Sequence, residues 1–239
     1  MNLVVDYGNS AAKVGIFDHQ NLMEKQSFHD AAELRQFLNS YNANHLIISS
    51  VNTDAAEIAS WSHASGLKLV LHHSLPLPIN NLYKTPATLG VDRVAAVCGA
   101  QQLFPFNNCL VIDAGTCITF DFIDKENNYH GGAISPGLKM RFQAVHTFTA
   151  RLPLITAIEN PKLVGDSTET CIQSGVINGI VAELEGTIDQ YRVKFGELQV
   201  ILCGGDARFF ENKVKASIFA SPDLVLVGLN SILIYNVNR

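Results

Sequence analysis

The sequence predicts an α/β protein built from two related lobes. Three observations carry that expectation. Short apolar runs that read as strands alternate with segments of helical periodicity along the chain. The stretch Leu3-Val4-Val5-Asp6-Tyr7-Gly8-Asn9 returns as Leu110-Val111-Ile112-Asp113-Ala114-Gly115-Thr116, with Asp113 lying 107 residues after Asp6. A period this long suggests a duplicated lobe rather than a solenoid, and chance likeness of two strand-turn pieces is the alternative. The length of 239 residues suits two lobes of about 110–120 residues, expected at 1–107 and 108–239.

Taken in order, Leu3–Val5 reads as a short buried strand, and Asp6-Tyr7-Gly8-Asn9-Ser10 has the composition of a turn. Residues 12–17 form the returning strand of a hairpin. Asp30 is placed to cap a helix over 31–40, and His45–Val51 is the next strand. Asp54 with Glu57 resembles a capping box opening a helix to about Ala64, followed by a strand at Lys68–Leu71. Residues 72–89 hold Pro76, Pro78 and Pro86 and read as a long ordered loop, a feature often tied to function. A helix starts near Val91 and ends around Phe104-Pro105. The second half repeats the strand-turn-strand opening. Gly131–Gly137 leads into a helix, a long helix runs from about Glu169 to Val193, and Val200–Cys203 is a buried strand ending in Gly204-Gly205-Asp206. The stretch from Asp223 to Tyr235 is a further helix.

Composition narrows the function. Apolar residues make up 47% of the chain and charged residues 16%, which fits a well-filled globular core. The net charge of −5 comes without a basic block, so no nucleic-acid partner is expected. No apolar run is long enough to cross a bilayer, and the N-terminal residues lack a basic segment and a cleavage site. The five scattered cysteines form no C-x-x-C pair. The expectation is a cytoplasmic protein without membrane attachment.

Two Asp-x-Gly turns point to phosphate chemistry. Each puts a carboxylate beside exposed backbone N–H groups, and glycine removes the Cβ that would hold a phosphate away. A carboxylate cannot face a phosphate directly, so a cation or cation-bound water must stand between them. One such turn is ordinary turn chemistry; two, each after a buried strand, favour a shared site. Lys13 lies seven residues beyond Asp6 on the returning strand, where an ammonium could reach a terminal phosphate, although a solvated strand lysine reads the same way. Thr116 offers a hydroxyl in the second turn, and Thr119 reads as a strand former. Gly204 and Gly205 follow a buried strand, where ligands of open α/β sheets sit, or form a plain tight turn. Asp92, where the long loop becomes a helix, is either a first-turn Asp favoured by the helix dipole or the acceptor of a substrate hydroxyl proton. Arg93 beside it could grip a carboxylate.

Together these residues resemble one family. The set Asp6-x-Gly8-Asn9-x-x-x-Lys13-x-Gly15, Gly90-x-Asp92-Arg93 and Asp113-x-Gly115-Thr116-x-x-Thr119-x-Asp121 is similar to type III pantothenate kinase. So are Gly131-Gly132-Ala133-Ile134-x-Pro136-Gly137, Thr149-Ala150-x-Leu152-Pro153, Gly165-x-x-Thr168 and Gly204-Gly205-Asp206, in the family's order. The resemblance implies a duplicated actin-like, ribonuclease-H-like fold, a homodimer with helices of the second lobe at its interface, and phosphorylation of pantothenate by ATP as the first step of coenzyme A synthesis. It implies that Asp6, Gly8, Asn9, Ser10 and Lys13 bind ATP phosphates, with Mg²⁺ held by Asp6 through water. Gly115, Thr116, Gly204 and Gly205 would meet ATP, and Asp113 a monovalent cation, K⁺ or NH₄⁺. Asp92 would accept the proton. Gly90, Val91, Asp92 and Arg93 would hold pantothenate with Tyr83 and Thr168, the last across the dimer interface.

The chain departs from the commonest pattern at Ser10, at Cys117 and Ile118, at Ser135, and at the Asp166-Ser167 spacer, none of which is a proposed catalytic group. Two alternatives keep the fold: a non-catalytic accessory factor acting on transcription, and a kinase for another small hydroxylated substrate. A dimeric scaffold without catalysis is a third.

Overall fold

The computed structural model describes residues 1–8, 11–50 and 55–239. In chain order it contains β1 (Asn2–Tyr7), β2 (Ala12–Asp18), β3 (Asn21–Phe28), α1 (Ala31–Ser40), β4 (His45–Ser50), α2 (Ala55–Ser60), β5 (Lys68–Val70) and β6 (Asn80–Asn81), then a 3-10 turn (Pro86–Thr88) and α3 (Val91–Leu103). There follow β7 (Cys109–Ala114), β8 (Cys117–Ile123), β9 (Asn128–Pro136), α4 (Leu138–Thr147), α5 (Thr168–Phe195), β10 (Gln199–Cys203), α6 (Ala207–Glu211), β11 (Phe219–Ala220) and α7 (Leu224–Val237).

These elements divide into two units: residues 1–106 with 123–130 and 223–239, and residues 107–122 with 131–222. In the first, the strands run β3-β2-β1-β4-β5. The meander β3-β2-β1 is antiparallel, whereas β4 and β5 join in parallel. Leu3, Val5, Leu46 and Ile48 point into one core with Leu34 and Leu38 of α1. That helix starts where the sequence places it, because the Asp30 carboxylate accepts from Ala32 N at 2.7 Å. Helices α3 and α7 pack backbone to backbone: a Cβ at Gly228 would collide with the Ala95 carbonyl, and one at Gly99 with that of Leu224.

In the second unit the order β9-β8-β7-β10-β11 repeats that of the first, with β7, β10 and β11 parallel. Leu110, Ile112, Ile118 and Phe120 meet Ile177, Ile180, Leu184 and Ile188 of α5 and Val200 and Leu202 of β10 in its core. The sixth strand of that sheet, β6, pairs with Asn128 and Tyr129 of β9, residues of the first unit. The repeated strand order is the structural counterpart of the repeated sequence stretch.

Several elements differ from the sequence expectation. Strand β3 was not foreseen, because its pattern NLMEKQSF leaves most side chains exposed at a sheet edge and gives no apolar alternation. Strand β9 runs through the Gly131–Pro136 stretch read only as a lead into a helix. Helix α2 ends at Ser60, short of Ala64, and its expected cap Asp54 lies outside the described residues. The expected second lobe, 108–239, included α7, yet α7 and the hairpin tip 123–130 belong to the first unit. Burial of Leu224, Leu226, Leu229, Ile232 and Leu233 accounts for the helix, which packs on α3, β1 and β4.

Candidate active site

In the first unit, β1 carries Asp6 to its carboxyl end. Antiparallel register sets Asp6 opposite Lys13 on β2, and parallel register sets it beside Ser49 on β4. Ser49, fully buried, donates its hydroxyl to Asp6 Oδ1 at 2.8 Å. Burial pushes the Asp6 carboxyl above the usual carboxylate range, and the nearby Asp92 carboxylate adds to the rise. The Ser49 hydrogen bond and the Lys13 ammonium offset this only in part. Lys13 thus compensates the buried carboxylate only in part, and a further cation beside it would offset the rest. Among the described residues no three His, Cys, Asp or Glu side chains cluster as metal ligands. A cation at Asp6 would therefore take most of its ligands from phosphate and water, the habit of Mg²⁺.

Helix α3 presents Asp92 in its first turn, with Gly90 as the N-cap. A Cβ at Gly90 would occupy the place of Asp92 Oδ1, which explains glycine two residues before the carboxylate. Oδ1 accepts from Arg93 N at 2.9 Å, and Oδ2 has no hydrogen-bond donor among the described residues. One oxygen is thus fixed and the other is available to a ligand proton. Val91, half-buried, occupies the position between. Arg93 is 7% exposed, with its guanidinium carbon 5.8 Å from the Tyr83 ring centroid. Tyr83 lies parallel to the fully buried Tyr129, with 8° between planes and 6.3 Å between centroids. The first unit therefore brings together Asp6, Lys13 and Asp92, and, around Arg93, Tyr83.

The second unit brings Asp113, Gly115, Thr116 and Gly204 together through backbone contacts. Parallel pairing sets Cys203 beside Asp113. Gly204, at φ 94°, turns the chain so closely that a Cβ would collide with Asp113 Oδ1 and the Ala114 carbonyl. Asp206 N donates to Ala114 O at 2.8 Å, and Gly137 N at the head of α4 donates to Thr116 O at 3.2 Å. A Cβ at Gly137 would collide with the carbonyls of Gly115 and Thr116. Burial raises the Asp206 carboxyl, and Lys139 on α4 partly opposes it. Thr168 sits apart from this cluster's contacts as the exposed first residue of α5, behind a capping box of Ser167 and Thr170.

At three turn glycines an added side chain would find room among the described residues. Gly8 and Gly115 have no left-handed φ. An added Cβ would meet nothing closer than 3.5 Å at Gly8 and 3.4 Å at Gly115, which is ordinary contact. At Gly205, exposed, nothing lies within 4 Å. A glycine at such a place would let a ligand approach the main chain closely. Asn9 and Ser10, the other two residues expected on phosphate, lie outside the described residues.

Sequence reasoning missed Ser49, although a polar residue ending the apolar run Leu46-Ile47-Ile48 beside the first strand was a readable sign. It missed the electrostatic influence of Lys139 on Asp206, which no spacing announces. It also passed over Thr119, whose Oγ1 is buried without a hydrogen-bond partner among the described residues.

Comparison with known proteins bears on the family and the fold. A type III pantothenate kinase profile matches residues 2–190. A protein of Phocaeicola vulgatus named type III pantothenate kinase is 46% identical over 239 residues, covering 99% of each chain. Among solved structures, a candidate Baf family transcriptional activator from Campylobacter jejuni superposes with a TM-score of 0.65 at 22% identity, over 99% of this chain and 100% of that one. A candidate N-acetylmannosamine kinase from Listeria monocytogenes does so at 0.56 and 13% identity, over 99% of both. These likenesses give the fold, the two-lobed actin-like architecture of sugar kinases. At the sequence level, the match over most of the chain and the identity over its full length show that the chain belongs to the type III pantothenate kinase family.

Proposed function

We propose that the chain transfers the γ-phosphoryl group of ATP to the 4′-hydroxyl of pantothenate, the first step of coenzyme A synthesis. The observation that carries this reading is the grouping of Asp6, Lys13 and Asp92 within one unit, next to a turn whose glycine leaves the main chain open. Asp92 Oδ2 takes the hydroxyl proton or orients the hydroxyl, while Oδ1 stays anchored on Arg93 N. Lys13, which has no hydrogen-bond acceptor among the described residues, meets phosphate oxygens. Gly8, Asn9 and Ser10 complete the phosphate contacts. Mg²⁺, bound with ATP, would neutralise phosphate charge during transfer, held by Asp6 through water. Gly115, Thr116, Gly204 and Gly205 meet ATP, and Asp113 binds K⁺ or NH₄⁺. Tyr83, Gly90, Val91, Arg93 and Thr168 hold pantothenate, with Arg93 facing its carboxylate.

Two further parts belong to the reading. The protein works in the cytoplasm, without a nucleic-acid or membrane partner; no helix among the described residues is long and apolar enough to cross a membrane. It forms a homodimer through its second unit, where Phe148, Leu163, Val164 and Val193 are 85%, 83%, 78% and 89% exposed. Sedimentation at micromolar concentration checks this, with a monomer as the outcome that removes it.

The principal test is ADP release from Mg-ATP with and without pantothenate, in potassium and in sodium buffer. Turnover that requires pantothenate and rises with potassium is expected. Asp92→Asn should lower kcat by about 100-fold or more. No turnover with pantothenate in either buffer would overturn the reading.

A further inference from the structure

The loop that carries Tyr83 has little structure of its own. Between β5 and the 3-10 turn it contains only β6, a strand of two residues, too short to fix its own register. The tip of the β8–β9 hairpin, within the same unit, holds it. Asn80 N donates to Asn127 O at 2.9 Å, and Leu82 N to Tyr129 O at 3.0 Å. The Asn80 side chain adds a third bond, Nδ2 to Asn128 Oδ1 at 3.2 Å.

That tip is closed by one carboxylate. Asp124 Oδ1 accepts from Glu126 N at 3.0 Å and Asn128 N at 2.9 Å. Its Oδ2 accepts from Asn128 Nδ2 at 3.1 Å and His130 Nε2 at 2.7 Å. An Asp that only starts a turn needs the first two bonds. The second oxygen does something else: it fixes the nitrogen of the Asn128 amide, whose oxygen then faces Asn80. Downstream of this clasp, Tyr83 N donates to Asn81 Oδ1 at 3.0 Å. The Tyr83 ring rests on Tyr129, and the Arg93 guanidinium stands over Tyr83.

We propose that Asp124 is a positioning residue for pantothenate: through the Asn128 amide and the β6 clasp it fixes Tyr83, and Tyr83 orients the Arg93 guanidinium that meets the substrate carboxylate. The proposal rests on the kinase reading above and adds the residues that set its substrate affinity. A ring face whose centroid lies 5.8 Å from the guanidinium carbon attracts the cation and limits where its edge donors can point. Asp92 sits on α3, outside the hydrogen bonds of the clasp. Loosening the clasp therefore weakens binding of the ground state and transition state alike, which raises KM and leaves kcat.

The test uses Asn80→Ala, which removes one side-chain bond at an exposed position, together with Asp124→Ala and Asp124→Asn. Asn80→Ala should raise the pantothenate KM about fivefold, the worth of one such bond, with kcat within about twofold and the ATP KM unchanged. Hydrogen exchange at the Leu82 amide should quicken. Asp124→Ala should act in the same direction and more strongly, and Asp124→Asn, which keeps a carbonyl acceptor, should fall between. In an Arg93→Ala background, Asn80→Ala should add almost nothing to KM, because both act on one contact. Full additivity there would overturn the proposal. So would a wild-type pantothenate KM in Asn80→Ala, or a fall in kcat with that KM unchanged. Failure of the unmutated protein to use pantothenate is a separate result; it removes the kinase reading first and this proposal with it.

Discussion

The two halves of the molecule share a strand order and differ in what they set beside the same carboxylate. In the first, Asp6 faces an ammonium, Lys13, and takes a hydrogen bond from Ser49. In the second, Leu110, Ile112 and Ala114 of β7 and Ile118 and Phe120 of β8 turn toward the core. Strand alternation then sends Asp113 and Thr119 to the opposite face. That face offers a hydroxyl where the first half offers a cation, and the hydroxyl has no partner among the described residues. The second turn is also braced from behind by Gly204. Duplication supplied the carboxylate position twice. The first copy sets an ammonium opposite its carboxylate, which under the proposed function suits a transferring phosphoryl group; the proposal gives Asp113 of the second copy to a monovalent cation.

The comparison can be broken or sharpened at three positions. The largest stability effect is expected from Gly204→Ala, which places a side chain at φ 94° and against Asp113 and the Ala114 carbonyl. A loss of about 2 kcal/mol or more should appear in denaturant unfolding. Its neighbour Gly205→Ala, with open space around it, should change stability by less than about 0.5 kcal/mol. Equal effects at both would show that the second turn is not braced as described.

Asp6→Asn comes next and is read against pH. The folded carboxyl titrates above its unfolded value of 3.8, chiefly because burial disfavours the charge. The wild type therefore keeps this contribution to stability below the unfolded pKa and loses it as pH rises through the raised folded pKa. Without nucleotide or divalent cation, Asp6→Asn should melt higher than the wild type at neutral pH, and the gap should close as pH falls below the unfolded pKa. Phosphoryl transfer should nonetheless drop by about 100-fold. A variant that melts lower at neutral pH would mean that Lys13 and Ser49 already balance Asp6.

The third position is Thr119, where Thr119→Val removes a buried hydroxyl that has no partner among the described residues while keeping the branched shape. Stability of the ligand-free protein should rise by up to about 1 kcal/mol in chemical unfolding. A fall would show that this hydroxyl has a partner, and the two faces would then differ in charge alone.

Much of this was legible from residues alone, for identifiable reasons. The paired Asp-x-Gly turns could be read because a buried strand ending in a carboxylate is a local pattern. The cap at Asp30 and the start of α3 at Val91 follow from local chemistry in the same way. The partners of these groups were not local. Ser49 reaches Asp6 across 43 residues, and Asn128 meets Asn80 across 48. Strand β3 hid because an exposed edge carries no hydrophobic period, and β6 because two residues carry none at all. Thr119 shows a third kind of loss: strand propensity explained the residue well enough that its hydroxyl was overlooked.

Helix α7 has a consequence for how the protein is made. It closes the core of the first unit, with Asn230 accepting from Asn2 Nδ2 at 3.1 Å and donating to the His19 carbonyl at 2.8 Å. Lys25 on β3 reaches Asp223, just before the helix, at 2.8 Å. Residues near the start of the chain thus wait for residues beyond 222 before their apolar surface is covered. On the ribosome, the lobe that emerges first is the last to be completed, and its exposed strands must be shielded from other nascent chains until translation has passed α7.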